Sequence, residues 1–319
     1  MEDLCILCNN LLKFKSIKNV KKYDIMYDVY LCESCRVGST IPKPSPDDLS
    51  KLYSAGTYRL DSGKRFNPFA ECLIYVFRFL RKKRIQKYID KGRILDIGCG
   101  RGLFLEIMRK DGWNVTGVEF DAETASYASK AYNIRAIPAQ SVIDLPDESF
   151  DVITLIHSLE HTPDPAGLIN QCKRLLKKKG LIVVAVPNFF SFQASVGKKV
   201  WFHLDLPYHL HHFSEEGLST LLNKYSFKIL NIRRFDVEYS PFGWLQTLLN
   251  LSGVRENLLF NLIKSPGLRR KEISSLPKGE LILNFFLLPI YLPASVLLSV
   301  FESFLLKKGG TIEIYASKE

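Results

Sequence analysis

The chain has 319 residues, a hydrophobic fraction of 46%, a charged fraction of 24% and a formal net charge of +11. This composition can supply a buried core and excludes a wholly disordered chain, while 19 glycines and 15 prolines are too few for a collagen-like one. The positive charge favours an anionic partner, which could be nucleic acid, anionic lipid or a small molecule. Because no apolar run opens the sequence, we expect no secretory signal and a cytoplasmic location.

Two Cys-x-x-Cys pairs lie near the start of the chain. In a reducing compartment such pairs bind metal more often than they form disulfides, and two of them supply four thiolates for a tetrahedral site. We therefore predict a zinc ribbon over residues 1–38, with a structural Zn²⁺ because four thiolates leave no open position. A redox motif and a coincidental pairing are the weaker alternatives. The predicted ligands are Cys5, Cys8, Cys32 and Cys35.

Residues 39–92 are predicted to form a linker followed by helices. Alternating prolines at the start indicate an extended linker that leads into a short helix from Pro46 to Tyr53. Within 66–90, apolar residues recur at helical spacing. The basic residues from Arg78 to Lys87 form either a solvated helix face or a contact with an anionic surface. The periodic apolar residues are Phe69, Cys72, Leu73, Val76, Phe77 and Leu80.

From residue 93 onward, predicted strands alternate with predicted helices. This alternation indicates βαβ units and a parallel sheet that is covered on both faces, and therefore an α/β fold. A long segment, 240–309, is inserted between the last two strands. The predicted helices are 102–111, 122–131, 165–177 and 215–224, with Ser214 as the N-cap of the last. The predicted strands are Arg93–Ile97, Asn114–Glu119, Arg135–Pro138, Phe150–Ile156, 181–187, 227–235 and 311–316.

A glycine-rich turn follows the first of these strands. Gly98, Gly100 and Gly102 permit a tight turn and the close approach of a ligand to the backbone. Glu119 ends the next strand, where an acidic side chain can accept hydrogen bonds from both hydroxyls of a ribose. The turn therefore predicts a nucleotide-like ligand.

Two ligands compete for this turn. A dinucleotide loop has the spacing G-x-G-x-x-G, whereas Leu103 occupies the position of its last glycine here. Asp96 stands beside the turn, where a carboxylate disfavours a pyrophosphate and suits a cationic amino-acid group. The order Asp-x-Gly-x-Gly-x-Gly resembles the first motif of the class I S-adenosylmethionine-dependent methyltransferases.

Three further segments resemble that family. Residues 145–151, Leu-Pro-Asp-Glu-Ser-Phe-Asp, are similar to its lead-in to strand four. Residues 158–165 resemble the Leu-Glu-His segment of its ubiquinone and polysaccharide-type members. Residues 175–181 resemble the lead-in to strand five, although Lys179 and Gly180 replace the usual Pro-Gly or Gly-Gly. The resemblance covers about residues 93–235 and 310–317, and it implies a Rossmann-like sheet of seven strands.

The resemblance implies that S-adenosylmethionine is the cofactor. The glycine turn would hold its amino-acid end, Glu119 its ribose, and Ile156 with His157 would lie beside its methionine portion. Phe120 and the residues after strand three would flank the adenine. The implied cofactor-binding residues are Asp96, Gly98, Cys99, Gly100, Gly102, Glu119, Phe120, Gln140, Ser141, Ile156 and His157.

All six histidines lie after strands four and five, within residues 157–212. This is the carboxyl end of a parallel sheet, where ligands bind. His161 or His209 could act as a general base, or Glu160, His161 and a later histidine could hold a divalent metal. Ubiquinone-type enzymes resemble the second arrangement, but His157 replaces their first glutamate, which disfavours it. A third interpretation gives Glu160 and His161 a structural role only. We predict Glu160, His161 and His209 as catalytic.

The inserted segment contains a stretch without charge, residues 281–301, that is long enough to span a bilayer. Pro289 and Pro293 are expected to break a helix there, and the last strand must return to the same sheet. We therefore predict contact with a membrane surface rather than a span, with a lid or a dimer interface as the alternatives. The flanking basic residues are Lys264, Arg269, Arg270, Lys271, Lys278, Lys307 and Lys308.

These patterns predict four segments: the ribbon (1–38), the linker and helices (39–92), a methyltransferase domain (93–239 and 310–319) and the apolar insertion (240–309). The predicted function is methyl transfer from S-adenosylmethionine to a hydroxyl of a small-molecule, sugar or lipid-linked acceptor in cell-surface glycan or lipid biosynthesis. We expect a cytoplasmic enzyme with peripheral contact at the inner face of the membrane. The alternatives are an RNA methyltransferase, which a ribbon and basic charge would suit, and a non-catalytic cofactor-binding scaffold.

Overall fold

The computed structural model describes residues 4–45, 48–49, 66–264, 269–270 and 273–319. Most of the short helix predicted from Pro46 to Tyr53 lies outside the described residues, as does Lys271. The described strands form two sheets, one of four strands and one of seven.

The small sheet carries the cysteine pairs. Its antiparallel strands are β1 (Phe14–Lys22), β2 (Ile25–Cys32) and β3 (Val37–Ile41). A fourth strand, β9 (His211–Phe213), comes from the segment after strand five of the large sheet and pairs with β3. The ribbon is therefore hydrogen-bonded directly to the histidine-rich segment, a connection that the sequence pattern did not indicate.

The large sheet has the strand order β10-β11-β8-β7-β4-β5-β6. The five strands from β8 to β6 are parallel, and β11 is antiparallel to both β8 and β10. This arrangement confirms the predicted Rossmann-like α/β sheet. The strands are β4 (Arg93–Ile97), β5 (Asn114–Glu119), β6 (Arg135–Pro138), β7 (Phe150–Ile156), β8 (Leu176–Pro187), β10 (Phe227–Arg233) and β11 (Thr311–Lys318).

Nine α-helices are described in the residues that the structure covers. They mostly begin where a polar side chain caps the first free amides, as Asp121, Asp164 and Ser214 do. The helices are α1 (Pro68–Ile85), α2 (Leu103–Lys110), α3 (Ala122–Tyr132), α4 (Pro165–Leu175), α5 (Phe192–Gly197), α6 (Glu215–Lys224), α7 (Tyr239–Leu251), α8 (Leu258–Ile263) and α9 (Lys278–Val300).

The start of β8 differs from the prediction. The strand begins at Leu176, within the range that was predicted to be helical, because Leu176 pairs with Phe150 of β7. The ammonium of Lys177 also lies 2.7 Å from the carboxylate of Asp151. The lysines at 177–179 are typical of the last turn of a helix, which is why the sequence predicted a helix there. Pairing with β7 places this segment in the sheet instead.

The basic residues of helix α1 form neither a solvated face nor a free anion-binding surface, the two roles that the sequence suggested. Arg81 and Lys82 are buried, and the guanidinium of Arg81 lies 3.6 Å from Asp236 and 3.8 Å from Glu313. Lys82 contacts Asp111 at 2.9 Å. Internal ion pairs therefore neutralise most of the positive charge on α1. The periodic apolar residues are the exposed ones, with exposed fractions of 74% for Phe69, 40% for Leu73, 44% for Val76 and 41% for Leu80.

Replacing Arg81 by alanine should lower the free energy of unfolding by about 3 kcal/mol, because two buried carboxylates, Asp236 and Glu313, would lose a cation. Arg84 still faces both carboxylates and limits the loss. Denaturant unfolding measures the change. Lys83→Ala is the control, since the exposed Lys83 should cost less than about 0.5 kcal/mol.

The apolar insertion forms α7, α8 and α9 and returns to the sheet through a π-helical turn, Phe301–Leu305. Pro289 and Pro293 lie inside α9 without breaking it, so the predicted break is wrong. Each proline removes one backbone N–H from the helix. Because the prolines are four residues apart, the two missing hydrogen bonds fall in adjacent turns of α9. Helix α7 packs along α9 and supports it. By length and composition alone, Lys278–Leu305 could cross a membrane, and it is the one such helix found among the described residues.

Candidate functional site

The glycine turn joins β4 to α2 and has the geometry that its sequence predicts. Gly98, Gly100 and Gly102 have φ values of +82°, +53° and +79°, which favour glycine. A Cβ on Gly98 would lie 2.5 Å from Cβ of Ser158, so that glycine is needed for packing. A Cβ on Gly100 would meet no atom of the described residues within 4 Å. The turn is therefore open on the side of Gly100, where a ligand could approach the backbone.

Glu119 ties this turn to the end of β5. Its carboxylate accepts hydrogen bonds from the amides of Gly100 at 2.8 Å, Phe120 at 2.8 Å and Asp121 at 3.3 Å. Burial nevertheless raises the pKa of Glu119. The turn and the acidic residue thus lie together, as the sequence predicted, and this arrangement fits a ribose near the open turn.

Asp96 lies below the turn on β4 and is buried. Its carboxylate accepts a hydrogen bond from the Thr154 hydroxyl at 2.6 Å, and burial raises its pKa to about 6. A cationic group near Asp96 would stabilise its charged form. Thr154 was not predicted as a site residue, and its place opposite Asp96 follows only from the register of β4 and β7.

The predicted adenine side lies after β5 and β6. Phe120 is 53% exposed, and Gln140 and Ser141 lie on a 3-10 turn, Ala139–Asp144, that follows β6. Parallel pairing brings the ends of β5 and β6 to the same edge. Cys99 differs from the other candidates, because its thiol packs in the core against Gly117. The Cys99 thiol reaches the turn only through the Gly100 carbonyl, at 3.7 Å.

The predicted acceptor side begins where β7 ends. Ile156 is half-buried, and His157 has a φ of +52° while its amide donates to the Ala185 carbonyl at 2.9 Å. The His157 ring packs against the Tyr239 ring, with 3.9 Å between ring centroids and 42° between the ring planes. Tyr239 begins α7, so the insertion supplies one wall of this site. The sequence contained no signal for Tyr239 beyond its place at the start of the insertion.

Glu160, His161 and His209 come together as predicted. Each offers one ligand atom, and these three atoms lie within 4.8 Å of one another. The rings of His161 and His209 are 4.7 Å apart, and Nε2 of His209 is 4.0 Å from Oε1 of Glu160. Glu160 is 1% exposed, and the nearest polar side-chain atom recorded for it is Nδ1 of His157, 3.3 Å from its Oε1. Among the described residues neither oxygen of Glu160 accepts a hydrogen bond.

The hydrogen bonds of the two histidines fix where their protons lie. Nδ1 of His161 is 2.9 Å from the Tyr208 carbonyl, and Nδ1 of His209 is 2.9 Å from the His203 carbonyl. Because a carbonyl can only accept, each Nδ1 carries a proton. Burial lowers the pKa of His209 well below its usual value, so its ring is neutral and Nε2 presents a lone pair. The lone pair on Nε2 of His209 therefore lies 4.0 Å from a carboxyl oxygen of Glu160, and a proton or cation near both groups would stabilise them together.

The ribbon holds the same histidine segment from the other side. The Thr40 hydroxyl donates to the His209 carbonyl at 2.6 Å and lies 2.9 Å from Nε2 of His212. His211 and His212 belong to β9, and His203 packs against the start of α7. Three of the six histidines thus support the segment rather than join the cluster around Glu160.

The four predicted cysteines also converge. Their Sγ atoms lie within 4.8 Å of one another, and those of Cys8 and Cys32 are 3.6 Å apart. Tetrahedral zinc with Zn–S bonds of about 2.3 Å requires sulfur separations of roughly 3.8 Å, so the cluster fits this metal. The cysteines of the described residues are unbridged.

Comparison with known proteins identifies the class that this sheet and turn define. A model of the methyltransferase domain matches residues 73–232, half of the chain. The chain therefore belongs to the methyltransferase domain family, and the prediction of a class I S-adenosylmethionine-dependent methyltransferase is confirmed.

The relatives found by sequence share only the central part of the chain. It is 36% identical over 103 residues to a ubiquinone biosynthesis O-methyltransferase of Pseudomonas aeruginosa (strain UCBPP-PA14), covering 30% of this chain and 44% of that protein. A protein of the same name from Idiomarina loihiensis is 28% identical over 153 residues, covering 45% and 61%. The chain thus spans about half the length of the curated relatives it matches.

Solved structures support the fold. The cyclase SpnF has a TM-score of 0.53 at 17% identity and covers 86% of this chain and 97% of its own. A putative sarcosine dimethylglycine methyltransferase from Galdieria sulphuraria has a TM-score of 0.50 at 13% identity and covers 86% and 98%. At these identities the similarity concerns the fold alone.

Proposed function

We propose that this protein transfers a methyl group from S-adenosylmethionine to a hydroxyl of a small-molecule, sugar or lipid-linked acceptor in glycan or lipid biosynthesis. The observation that carries the proposal is the position of two groups at the carboxyl edge of one sheet. The open glycine turn with Glu119 follows β4 and β5, and the cluster of Glu160, His161 and His209 follows β7 and β8. Relatives named O-methyltransferases support oxygen as the acceptor atom.

On the donor side, the predicted cofactor residues keep their proposed roles. The methyl donor brings an electrophilic methyl group and its own leaving group. Glu119 would accept both ribose hydroxyls, and the buried carboxylate of Asp96 would attract the cationic amino-acid end. Phe120, Gln140 and Ser141 would border the adenine. The chain's main contribution is then to hold the acceptor in line and exclude water.

On the acceptor side, the cluster would receive or weaken the hydroxyl proton. As a general base, His209 is suited by its unprotonated Nε2, which faces Glu160. A second candidate is a divalent cation held by Glu160, His161 and His209. Among the described residues Glu160 contacts the His157 ring at 3.3 Å but accepts no hydrogen bond, which favours this candidate because a buried carboxylate without hydrogen bonds is costly. Imidazole and carboxylate suit zinc, iron or manganese.

We also propose a structural Zn²⁺ on the four cysteines, a cytoplasmic location and peripheral contact with the inner face of a membrane. The division into ribbon (1–38), linker (39–92), methyltransferase domain (93–239, 310–319) and insertion (240–309) remains part of this proposal. Pairing of β3 with β9 supports a ribbon that serves the site instead of folding as a separate module.

Transfer of a labelled methyl group to fractionated lipid, glycan and RNA pools tests the proposal. We expect label in the lipid or glycan fraction, in a bond with the stability of an ether. Label in RNA alone would contradict the proposal and support the RNA alternative. Cofactor binding without label in any pool would support a scaffold.

Replacing Glu119 by glutamine should weaken S-adenosylmethionine binding about 10- to 100-fold. The amide loses the charge and one acceptor for the ribose, and hydrogen bonds to charged groups contribute roughly 1.5–3 kcal/mol each. Calorimetry of the purified chain measures the change. Glu123→Gln, at an exposed position in the first turn of α3, is the control and should leave affinity unchanged. Equal affinity in both variants would exclude Glu119 from the binding site.

A further inference from the structure

Helix α9 and the turn that continues it have their polar and apolar sides reversed. The fully buried side chains in this stretch are polar, and they recur on one face of the helix. These are Asn284, Ser295, Ser299 and Glu302. A helix on the surface of a water-soluble protein has the opposite pattern, with its apolar stripe turned to the core. The reversed pattern indicates that the outer environment of this helix is less polar than water.

The opposite side, here called the apolar face of α9, is large and exposed. Its side chains have exposed fractions between 57% and 73%, and only 11% of the most apolar window in this helix is buried. A contiguous apolar surface of this extent marks a contact with protein or lipid. The apolar face consists of Ile282, Phe286, Ile290, Leu297, Phe304 and Leu305.

The insertion is attached to the body of the protein near its middle and at its end. In the middle, where α8 ends, the Ile263 carbonyl accepts a hydrogen bond from the Asn67 amide at 3.0 Å, and after the π-helical turn the chain enters β11. Along its length, α9 is held against α7 by a 2.7 Å hydrogen bond between Tyr291 and Ser252. Helix α9 therefore lies along the body and presents its apolar face over its whole length, which suits a helix in the plane of a membrane and not one that crosses it.

Positive charge lies at both ends of this helix. Lys278 begins α9, Lys307 and Lys308 follow the turn after it, and all three are exposed. Arg269 and Arg270 precede the helix and are exposed too. Of the predicted flanking residues, Lys264 does not contribute, because it is buried and donates to Asn261. The exposed cations complement anionic lipid headgroups, whereas a second copy of this chain would bring like charges together.

We propose that the apolar face of α9 inserts into the boundary between headgroups and acyl chains of an anionic membrane. This inference deepens the membrane contact of the proposed function by naming its surface and its partner. Helix α1 also exposes apolar side chains, beginning with Phe69 beside the attachment at Asn67. Because α7 begins at Tyr239 beside His157, the same insertion joins the membrane to the acceptor side of the site.

Flotation of the full chain with lipid vesicles tests this proposal without any methyl donor. We expect binding to vesicles with about one third anionic lipid, weaker binding to neutral vesicles, and partial release by salt. Phe286→Gln and Leu297→Gln should each lower the partition coefficient at least tenfold. Ile143→Gln is the matched control, because Ile143 is 68% exposed but lies on the turn after β6. It should bind vesicles like the unchanged chain.

Charge reversal at Lys307 and Lys308 separates the electrostatic contribution from the apolar one. The double variant K307E/K308E should lose the preference for anionic vesicles and retain weak binding to neutral ones. Light scattering of each variant without vesicles checks for self-association. Absence of vesicle binding, equal binding of Leu297→Gln and Ile143→Gln, or a dimer that Leu297→Gln dissociates would overturn the proposal. Since flotation needs no catalysis, its failure is distinguishable from a failure of methyl transfer.

Discussion

Replacing His209 by alanine should lower the rate of methyl transfer by about 10²- to 10⁴-fold while S-adenosylmethionine binds as before. His209 is held at its Nδ1 and peptide oxygen by His203 and Thr40, so its Nε2 points toward Glu160 whether or not an acceptor is present. Alanine removes that nitrogen but leaves the glycine turn untouched. Single-turnover methyl transfer and cofactor calorimetry measure the two quantities separately.

The control for this variant is His211→Gln. His211 is just as buried and lies on β9, but it does not belong to the cluster around Glu160. We expect it to retain activity within a few-fold. Equal loss of activity in both variants would indicate that disturbing the segment, and not losing the base or ligand, reduces the rate.

Glu160→Gln distinguishes the base from the cation. If a cation bridges Glu160, His161 and His209, this variant should lose binding of Mn²⁺ followed by its spin-resonance signal, and Mn²⁺ should restore activity to the chelated parent protein only. If His209 acts as the base without metal, chelation should leave the rate unchanged. Unchanged turnover in both Glu160→Gln and His209→Ala, together with chelator resistance, would leave the cluster with a structural role.

Replacing Cys32 by serine should abolish zinc binding and most of the activity. A structural zinc contributes roughly 10–16 kcal/mol to the folding of a small ribbon, so its loss unfolds the cysteine knuckles. Cys32 ends β2, which pairs with β3, and β3 in turn pairs with β9. We therefore expect the variant to hold one zinc per chain fewer than the parent protein, and faster amide exchange in residues 37–41 and 211–213.

Cys72→Ser is the matched control, because Cys72 is exposed on α1 and lies far along the chain from the cluster. It should retain one zinc and full activity. Thr40→Val offers a finer comparison, since it removes the hydroxyl that binds the His209 carbonyl without removing a metal ligand. A Cys32→Ser protein that lacks zinc but keeps its exchange protection in 211–213 would show that the ribbon does not support the histidine segment.

Local patterns predict most of the large sheet. Four strands, Arg93–Ile97, Asn114–Glu119, Arg135–Pro138 and Phe150–Ile156, have the predicted bounds. Phe150–Ile156 is the clearest case, because a parallel strand that is covered on both faces requires a nearly continuous apolar run, as residues 152–156 supply. The orientation of α1 is not predictable in this way. The spacing of its apolar residues is typical of a helix that packs on a core with its apolar face. In the structure the basic face is buried instead, because Arg81 pairs with Asp236 and Glu313, which lie far along the chain.

In the candidate site, too, some residues are predictable from local sequence and others are placed only by tertiary packing. Gly98, Gly100 and Glu119 are recognisable from spacing, because a tight turn and a nearby acid impose residue types at fixed positions. Tyr239 and Thr40 are not recognisable, since each reaches the site only through the packing of a distant segment. Their roles depend on tertiary geometry, and no residue type or interval along the chain indicates it.

The pairing of β3 with β9 has a consequence for synthesis on the ribosome. All four cysteines and the first three strands are made early, whereas the strand that covers the outer edge of β3 lies at His211–Phe213. Until that segment emerges, the nascent ribbon displays an unpaired strand edge, the kind of surface that recruits other chains. A fragment that stops before residue 211 should therefore aggregate or occupy chaperones even when it holds its metal, and the ribbon on its own would require a masked edge to remain monomeric.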